Sequence, residues 1–272
     1  MGSIPTGATY QRECKMELKE LRTKISELSP VSTGHEFWRL VRNDFRNWIM
    51  SFDPSNGNFR NSQAVGMTME TGQAEYILEK ELPFINDRIK SVINKREDGS
   101  HEGNMSHHAY HLSKFEQHSG KDVSSLSSVF EYGAGYGNTC EIIHKLGFNG
   151  DYYIRDFPEF CLLQQFYLEE NNIDTSKIVW NPSETPEVDL FIAEWSLSET
   201  PHEERKNCGY EKCATNYLLA FQHSFKEVEN YFDTVQNMDY FDSFKNNNSS
   251  SMIWYYERIE HMPNSSYLIG YS

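Results

Sequence analysis

The chain has 272 residues, of which 38% are hydrophobic, 14% aromatic and 24% charged, and its formal net charge is −15. This length holds one α/β domain with an added subdomain and a sizeable core, and the aromatic content excludes an unstructured chain, which lacks such large packing groups. The negative field repels a phosphate backbone, so no nucleic-acid partner is expected.

The start, Met1 to Glu13, has no basic flank followed by an apolar block, so no secretory signal is expected. No run of about 18 apolar residues occurs anywhere, so no membrane partner is expected either. Residues 10 to 50 read as helical. Leu18, Leu21, Ile25 and Leu28 recur at spacings of three and four on one face. Ser29-Pro30 breaks that pattern, and Phe37, Leu40, Val41, Phe45 and Ile49 set up a second helix. Asp53 to Asn61, rich in Asn, Gly, Pro and Ser, reads as a loop. An apolar pattern runs from Ala74 to Ile93, and the polar residues 95 to 106 read as a linker.

From Ser128 the pattern alternates between strand and helix. Val129 to Tyr132 is a short strand ending at glycines, and Thr139 to Leu146 is a helix stopped by Gly147. Tyr152 to Ile154 is a strand, and Pro158 opens a helix running to about Glu170. Ile178 to Trp180, Leu190 to Ala193 and Tyr217 to Phe221 are further strands, and Phe225 to Phe232 is helix-like. The low-complexity run Asn246 to Ser251 reads as a surface loop. Met252 to Ile259 and Tyr267 to Tyr271 form a closing hairpin. The fold class expected is α/β: a Rossmann-like, mostly parallel sheet with helices on both faces, ending in an antiparallel hairpin. Residues 1–105 are expected to form a helical N-terminal lid subdomain, and residues 106–272 the ligand-binding domain.

The five cysteines, Cys14, Cys140, Cys161, Cys208 and Cys213, are an odd number without tight pairing, which fits free thiols in a reducing, cytoplasmic compartment. Cys208 and Cys213 have no second Cys/His pair at zinc spacing, so no metal ligands are assigned.

Glu131-Tyr132-Gly133-Ala134-Gly135-Tyr136-Gly137-Asn138 joins a strand to a helix. Glycines there let the backbone turn tightly and approach a ligand without a Cβ in the way. The dinucleotide fingerprint G-x-G-x-x-G needs glycine where Asn138 stands. Asp156 ends the next strand, 19 residues after Gly137, where a carboxylate can accept the two hydroxyl protons of a ribose. The other reading is a plain tight turn, with Asp156 capping the Pro158 helix.

An acidic residue, three alternating glycines and this Asp resemble the pattern of class I S-adenosylmethionine-dependent methyltransferases. The likeness extends to His107-His108-Ala109-Tyr110-His111, to Asp156-Phe157-Pro158-Glu159, to Ser196-Leu197-Ser198-Glu199, and to Glu257 through His261 with Tyr267 to Gly270. Those segments resemble a family of sugar O-methyltransferases over about residues 105 to 272, and more loosely before. Arg155 departs from the family, which has an apolar residue before the Asp.

The resemblance implies S-adenosylmethionine as cofactor and O-methylation of a sugar or sugar-nucleotide hydroxyl, for polysaccharide or natural-product tailoring. It implies that Glu131, Gly133, Gly135 and Gly137 line the methionine end and that Asp156 takes the ribose. Phe157 then flanks the adenine, Asn181 reaches its amino group, and Glu194 closes the fourth strand, where parallel sheets present ligands. Tyr132 and Tyr136 pack around the cofactor. A small-molecule nitrogen or another oxygen as acceptor, or a non-catalytic cofactor-binding subunit, are the competing readings. A homo-oligomer is compatible with all of them.

Methyl transfer to oxygen is an in-line displacement that also removes the hydroxyl proton, a task suited to a base of near-neutral pKa. His108, His111, Glu194 and Glu199 are the catalytic candidates. His107, Tyr110, Ser196, Ser198, Glu257 and His261 are the acceptor-binding candidates. His107 and His111 lie four apart on a helix and share a face with Tyr110, with His108 beside it. The alternatives are a packed helix face for the histidines and helix capping for Ser198. Mg²⁺ could be held only through Glu194 and Glu199, a short set for an ion that takes several oxygens.

Overall fold

A computed structural model of the chain describes residues 15–31, 36–53, 55, 74–95, 99, 101–201, 204–205, 208–223, 234–248 and 252–272. Seven strands form one sheet: β1 Ser128–Tyr132, β2 Asp151–Arg155, β3 Ile178–Trp180, β4 Val188–Glu194, β5 Ala214–Gln222, β6 Ile253–Arg258 and β7 Ser265–Tyr271. Their order is β3-β2-β1-β4-β5-β7-β6. Strands β1 to β5 pair in parallel, and β7 runs antiparallel to both neighbours. This is the expected α/β sheet with its terminal hairpin. The order reverses between β1 and β4, so the crevice at their carboxyl ends is the place for a ligand.

The helices are α1 Leu18–Glu27, α2 Glu36–Ser51, α3 Ala74–Glu81, α4 Asp87–Lys90, α5 Gly103–Ser119, α6 Asn138–Lys145, α7 Pro158–Glu170 and α8 Thr234–Asn248. Alternation along the strands divides the core. Val129, Leu190 and Ile192 face a cluster with Ile142, Ile143 and Leu163, whereas Phe130, Phe191 and Leu219 face one with Phe241 and Phe244. Successive side chains on a strand point to opposite faces, so one sheet serves both clusters.

Two readings need correction. The supposed linker yields to helix at Gly103, because Met105, Ala109, Leu112 and Phe115 recur at helical spacing and are fully buried. The helix ends where Gly120 takes a left-handed φ of 68° and its N–H returns to the Glu116 carbonyl. Asn246 to Asn248 belong to the last turn of α8 rather than to a loop, since Phe241 and Phe244 bury that helix against the sheet. The helix-like stretch Phe225 to Phe232 and nearly all of the Asp53 to Asn61 loop lie outside the described residues.

Helix α2 is fixed across the sheet's carboxyl end. Arg42 and Arg46 both bond the fully buried Glu159 carboxylate in the first turn of α7. On the other side, Trp38 donates its indole N–H to the Glu199 carbonyl beyond β4 at 3.0 Å. No helix among the described residues is long and apolar enough to cross a membrane.

Candidate functional site

A cavity of about 520 Å³ opens at the carboxyl ends of β1 and β4, a size that suits a small-molecule ligand. Its floor is the turn after β1, where Gly133, Gly135 and Gly137 take φ values of 73°, 59° and 99°, angles that favour glycine. At Gly133 an added Cβ would stand 2.3 Å from the Ser196 Cβ, so only hydrogen lets the β1 turn pack against the loop after β4. Ser196 closes that contact by donating to the Tyr132 carbonyl at 2.5 Å. Gly133 and Gly135 line the cavity. Gly137 lies behind it at the N-terminus of α6, where its added Cβ would meet Leu168 and Gln164. Its part is the turn itself.

Asp156 lines the same cavity. Its Oδ2 accepts from Gln164 Nε2 at 2.8 Å and from the Gly135 N–H at 3.2 Å, and its Oδ1 accepts from the Phe157 N–H at 2.7 Å. The carboxylate is thereby aimed beside the glycine turn, and burial pushes its pKa up to about 7. Phe157 also lines the cavity, against Trp38 at 5.6 Å between ring centres and beneath the Arg42 guanidinium at 4.5 Å. Asn181 is not among the cavity's walls. Its Oδ1 accepts from the Asp156 N–H and its Nδ2 donates to Cys161 Sγ, so it braces the end of β2 instead of reaching into the cavity. Arg155 points its guanidinium to the Pro182 carbonyl and leaves the Asp156 geometry intact.

Glu131 also forms part of the wall but is 3% exposed and accepts from Tyr152 Oη at 2.6 Å. Burial, aided by the nearby Glu194 charge, pushes its carboxyl up to about 8.

A histidine cluster on α5 adjoins the end of the glycine turn, where Thr139 Oγ1 lies 3.1 Å from His108 Nδ1. Nδ1 of His108 and of His111 lie 2.6 and 2.8 Å from Glu194 Oε2 and Oε1, and Thr139 donates to Oε2 at 2.9 Å. Burial opposes the Glu194 charge, but the two imidazoles beside it hold its pKa well below the usual range. An ionised carboxylate only accepts, so both rings donate through Nδ1. His108 then keeps a free lone pair on Nε2, and it lines the cavity. Burial disfavours its charged form, yet the Glu194 charge and hydrogen bond outweigh that and raise its pKa above 6.5. His111 is fully buried, and burial followed by His107 pushes it down to about 4. Lying behind the wall, His111 cannot touch an acceptor as a catalytic base must. Glu194 likewise is spent on three donors and orients His108. Glu199 lines the rim and accepts from Gln222 Nε2 at 3.2 Å.

The acceptor-binding candidates divide. His107 and Ser196 line the cavity. Tyr110, Glu257 and His261 line a separate cavity beside β6 and β7, where Glu257 pairs with Lys114 at 2.9 Å. Helix pitch is the reason: Tyr110 and Lys114, four apart, share one face of α5, and His108 faces another. Ser198 is fully buried, donates to the Trp195 carbonyl and accepts from the Gln222 N–H, which excludes it from contact with an acceptor.

Four contributors carried no signal in the sequence. Trp38 and Thr139 sit in ordinary amphipathic helices, and Gln164 in one that is buried over most of its length. Glu81, fully buried, accepts from His107 Nδ1 at 2.7 Å and from His261 Nε2 at 2.6 Å. Only an acidic residue closing an apolar helix could have pointed to it.

No protein-family model matches the chain, and no curated protein matches it. Solved structures do. A candidate O-methyltransferase from Klebsiella pneumoniae aligns at 9% identity over 74% of this chain and 96% of its own, with a TM-score of 0.44. The methyltransferase domain of bacterial CtHen1 aligns at 9% identity over 62% and 97%, again at 0.44. M. capricolum TrmK, in complex with S-adenosyl-homocysteine, aligns at 11% identity over 53% and 61%, with a TM-score of 0.37. At such scores the chemistry of this chain rests on its own site.

Proposed function

We propose that this protein transfers a methyl group from S-adenosylmethionine to an oxygen of a small polar acceptor, most simply a hydroxyl of a sugar or sugar-nucleotide. One observation carries the reading: the glycine turn with Asp156, and the His108–Glu194 pair, line one cavity. The turn and Asp156 supply what an adenosine-type ligand needs, a close backbone approach and an acceptor for ribose hydroxyls. Phe157 and Trp38 add apolar surface for the base.

The cofactor, when bound, supplies an electrophilic methyl on a sulfonium, and the chain does the rest. His108 Nε2 accepts the acceptor's proton while the oxygen attacks, and Glu194 holds the ring through Nδ1 and stabilises the imidazolium formed. Glu199 and Ser196, on the rim and wall beyond β4, orient the acceptor. Helix α2 serves as the cover of the cavity, through Trp38 and Val41. A hydroxyl acceptor suits the site because its proton needs a base at neutral pH, whereas a neutral amine attacks without one.

The test is incubation of the purified chain with S-adenosylmethionine and a panel of sugars, sugar-nucleotides and small amines, read by mass spectrometry. A gain of one methyl on a hydroxyl compound, with S-adenosylhomocysteine released, is the expected outcome. Methylation confined to amines overturns the oxygen assignment, and failure to bind the cofactor by calorimetry overturns the whole reading.

A further inference from the structure

Beside the cavity, whose wall only His107 of the three reaches, the histidine cluster contains a second grouping that proton transfer does not use. Glu81, His107 and His111 each place one ligand atom within 4.8 Å of the other two, and all three residues are buried. They come from the end of α3 and from two successive turns of α5. The His107 and His111 rings stand 4.2 Å apart.

Hydrogen bonding leaves this grouping incomplete. His111 donates Nδ1 to Glu194, and its Nε2, fully buried, has no partner among the described residues. His107 Nδ1 meets Glu81, and its Nε2 is likewise buried and without a partner among the described residues. An orphaned buried polar nitrogen costs about 1–3 kcal/mol, and native proteins explain such atoms by a bound water or ion. By contrast, the His108–Glu194 pair is closed by the Thr139 hydroxyl, and its free nitrogen looks into the cavity.

We propose that Glu81, His107 and His111 bind one divalent transition-metal ion of the zinc class. Two imidazoles and one carboxylate favour such an ion over Mg²⁺, which wants oxygen ligands. His111 has only Nε2 to give, and its Nδ1–H on Glu194 is the carboxylate bond that metal-bound histidines keep on their other nitrogen. Glu81 is held in turn by His261 Nε2 at 2.6 Å. Binding through His107 Nδ1 displaces the proton held there toward Glu81, which moves to Nε2 of the same ring, so His107 ligates as a neutral imidazole. The ion would tie α3 to α5 and, through His261, to the segment before β7. By fixing His111 it would also fix Glu194, and so the orientation of His108.

The experiment strips the full chain with chelator and titrates Co²⁺, following its visible absorption, with Zn²⁺ displacement and elemental analysis to count the ion. One Co²⁺ per chain is expected. Glu81→Gln, close in volume, should weaken uptake at least tenfold, while His108→Ala should keep it. Wild-type protein that stays folded and takes up neither ion overturns the proposal, as does Glu81→Gln binding like wild type or His108→Ala losing the metal. Should Glu81→Gln fail to fold, melting the stripped wild type with and without Zn²⁺ decides the matter, since an unmoved Tm overturns the site. These measurements read metal uptake alone, so their outcome is independent of whether the chain transfers methyl.

Discussion

Trp38 Nε1 donates to the Glu199 carbonyl at 3.0 Å, a contact between residues 161 positions apart that carries helix α2 over the cavity. On its other side the helix is held by Arg42 and Arg46 on buried Glu159. Helix α2 is therefore tied to the rim beyond β4 by a hydrogen bond and to α7 by ion pairs.

Loosening α2 should change both stability and ligand affinity. Arg42→Ala leaves the buried Glu159 charge with Arg46 alone, and breaking a buried pair costs about 3 kcal/mol. Urea denaturation should show a midpoint shift of that order, whereas Trp38→Ala should leave stability closer to wild type and weaken S-adenosylhomocysteine binding. A Trp38→Ala protein with unchanged affinity would remove α2 from the cofactor's surroundings.

Asp156→Ala should weaken S-adenosylhomocysteine by at least tenfold, about 1.4 kcal/mol or more, measured by calorimetry. The carboxylate is already positioned by Gln164 and the Gly135 N–H, so the variant loses a preformed acceptor. An unchanged dissociation constant in a folded variant would give Asp156 a purely structural part.

His108→Ala should lower the turnover number by about 10²- to 10⁴-fold, the usual range for a general base. Cofactor affinity should hold, because the glycine backbone and Asp156, rather than the imidazole, make the proposed cofactor contacts. Wild-type turnover in this variant would move proton removal to Glu199 or to water.

Glu131 makes stability depend on pH in a defined direction. Its folded pKa is raised from 4.5 to about 8, chiefly by burial, so the folded chain keeps a proton that the unfolded chain releases. Between those values the unfolded state binds fewer protons, and stability falls as pH rises, by up to about 1.4 kcal/mol per pH unit. Thermal melts across pH 5 to 8 should show Tm falling, with a shallower slope for Glu131→Gln. Parallel slopes would contradict the assignment.

The sequence by itself determined the sheet and the ligand turn, because both are local in their chemistry. Alternating apolar runs marked β1 to β5, the glycines at 133, 135 and 137 required a left-handed backbone, and Asp156 followed at the end of the next strand. It also marked His108 as suited to proton transfer. Which histidine meets the cavity was beyond it. Residues 107, 108 and 111 differ only by their angle about α5, and that angle has meaning only once Glu194 and Glu81 stand opposite. Ser198 and Asn181 followed promising strands, yet buried Ser198 bonds the Trp195 carbonyl and exposed Asn181 bonds the Asp156 N–H. Trp38 and Glu81 belong to helices whose periodicity speaks of packing alone. Their part arises from long-range closure, where a distant helix brings an indole or a carboxylate to partners that no local pattern can specify.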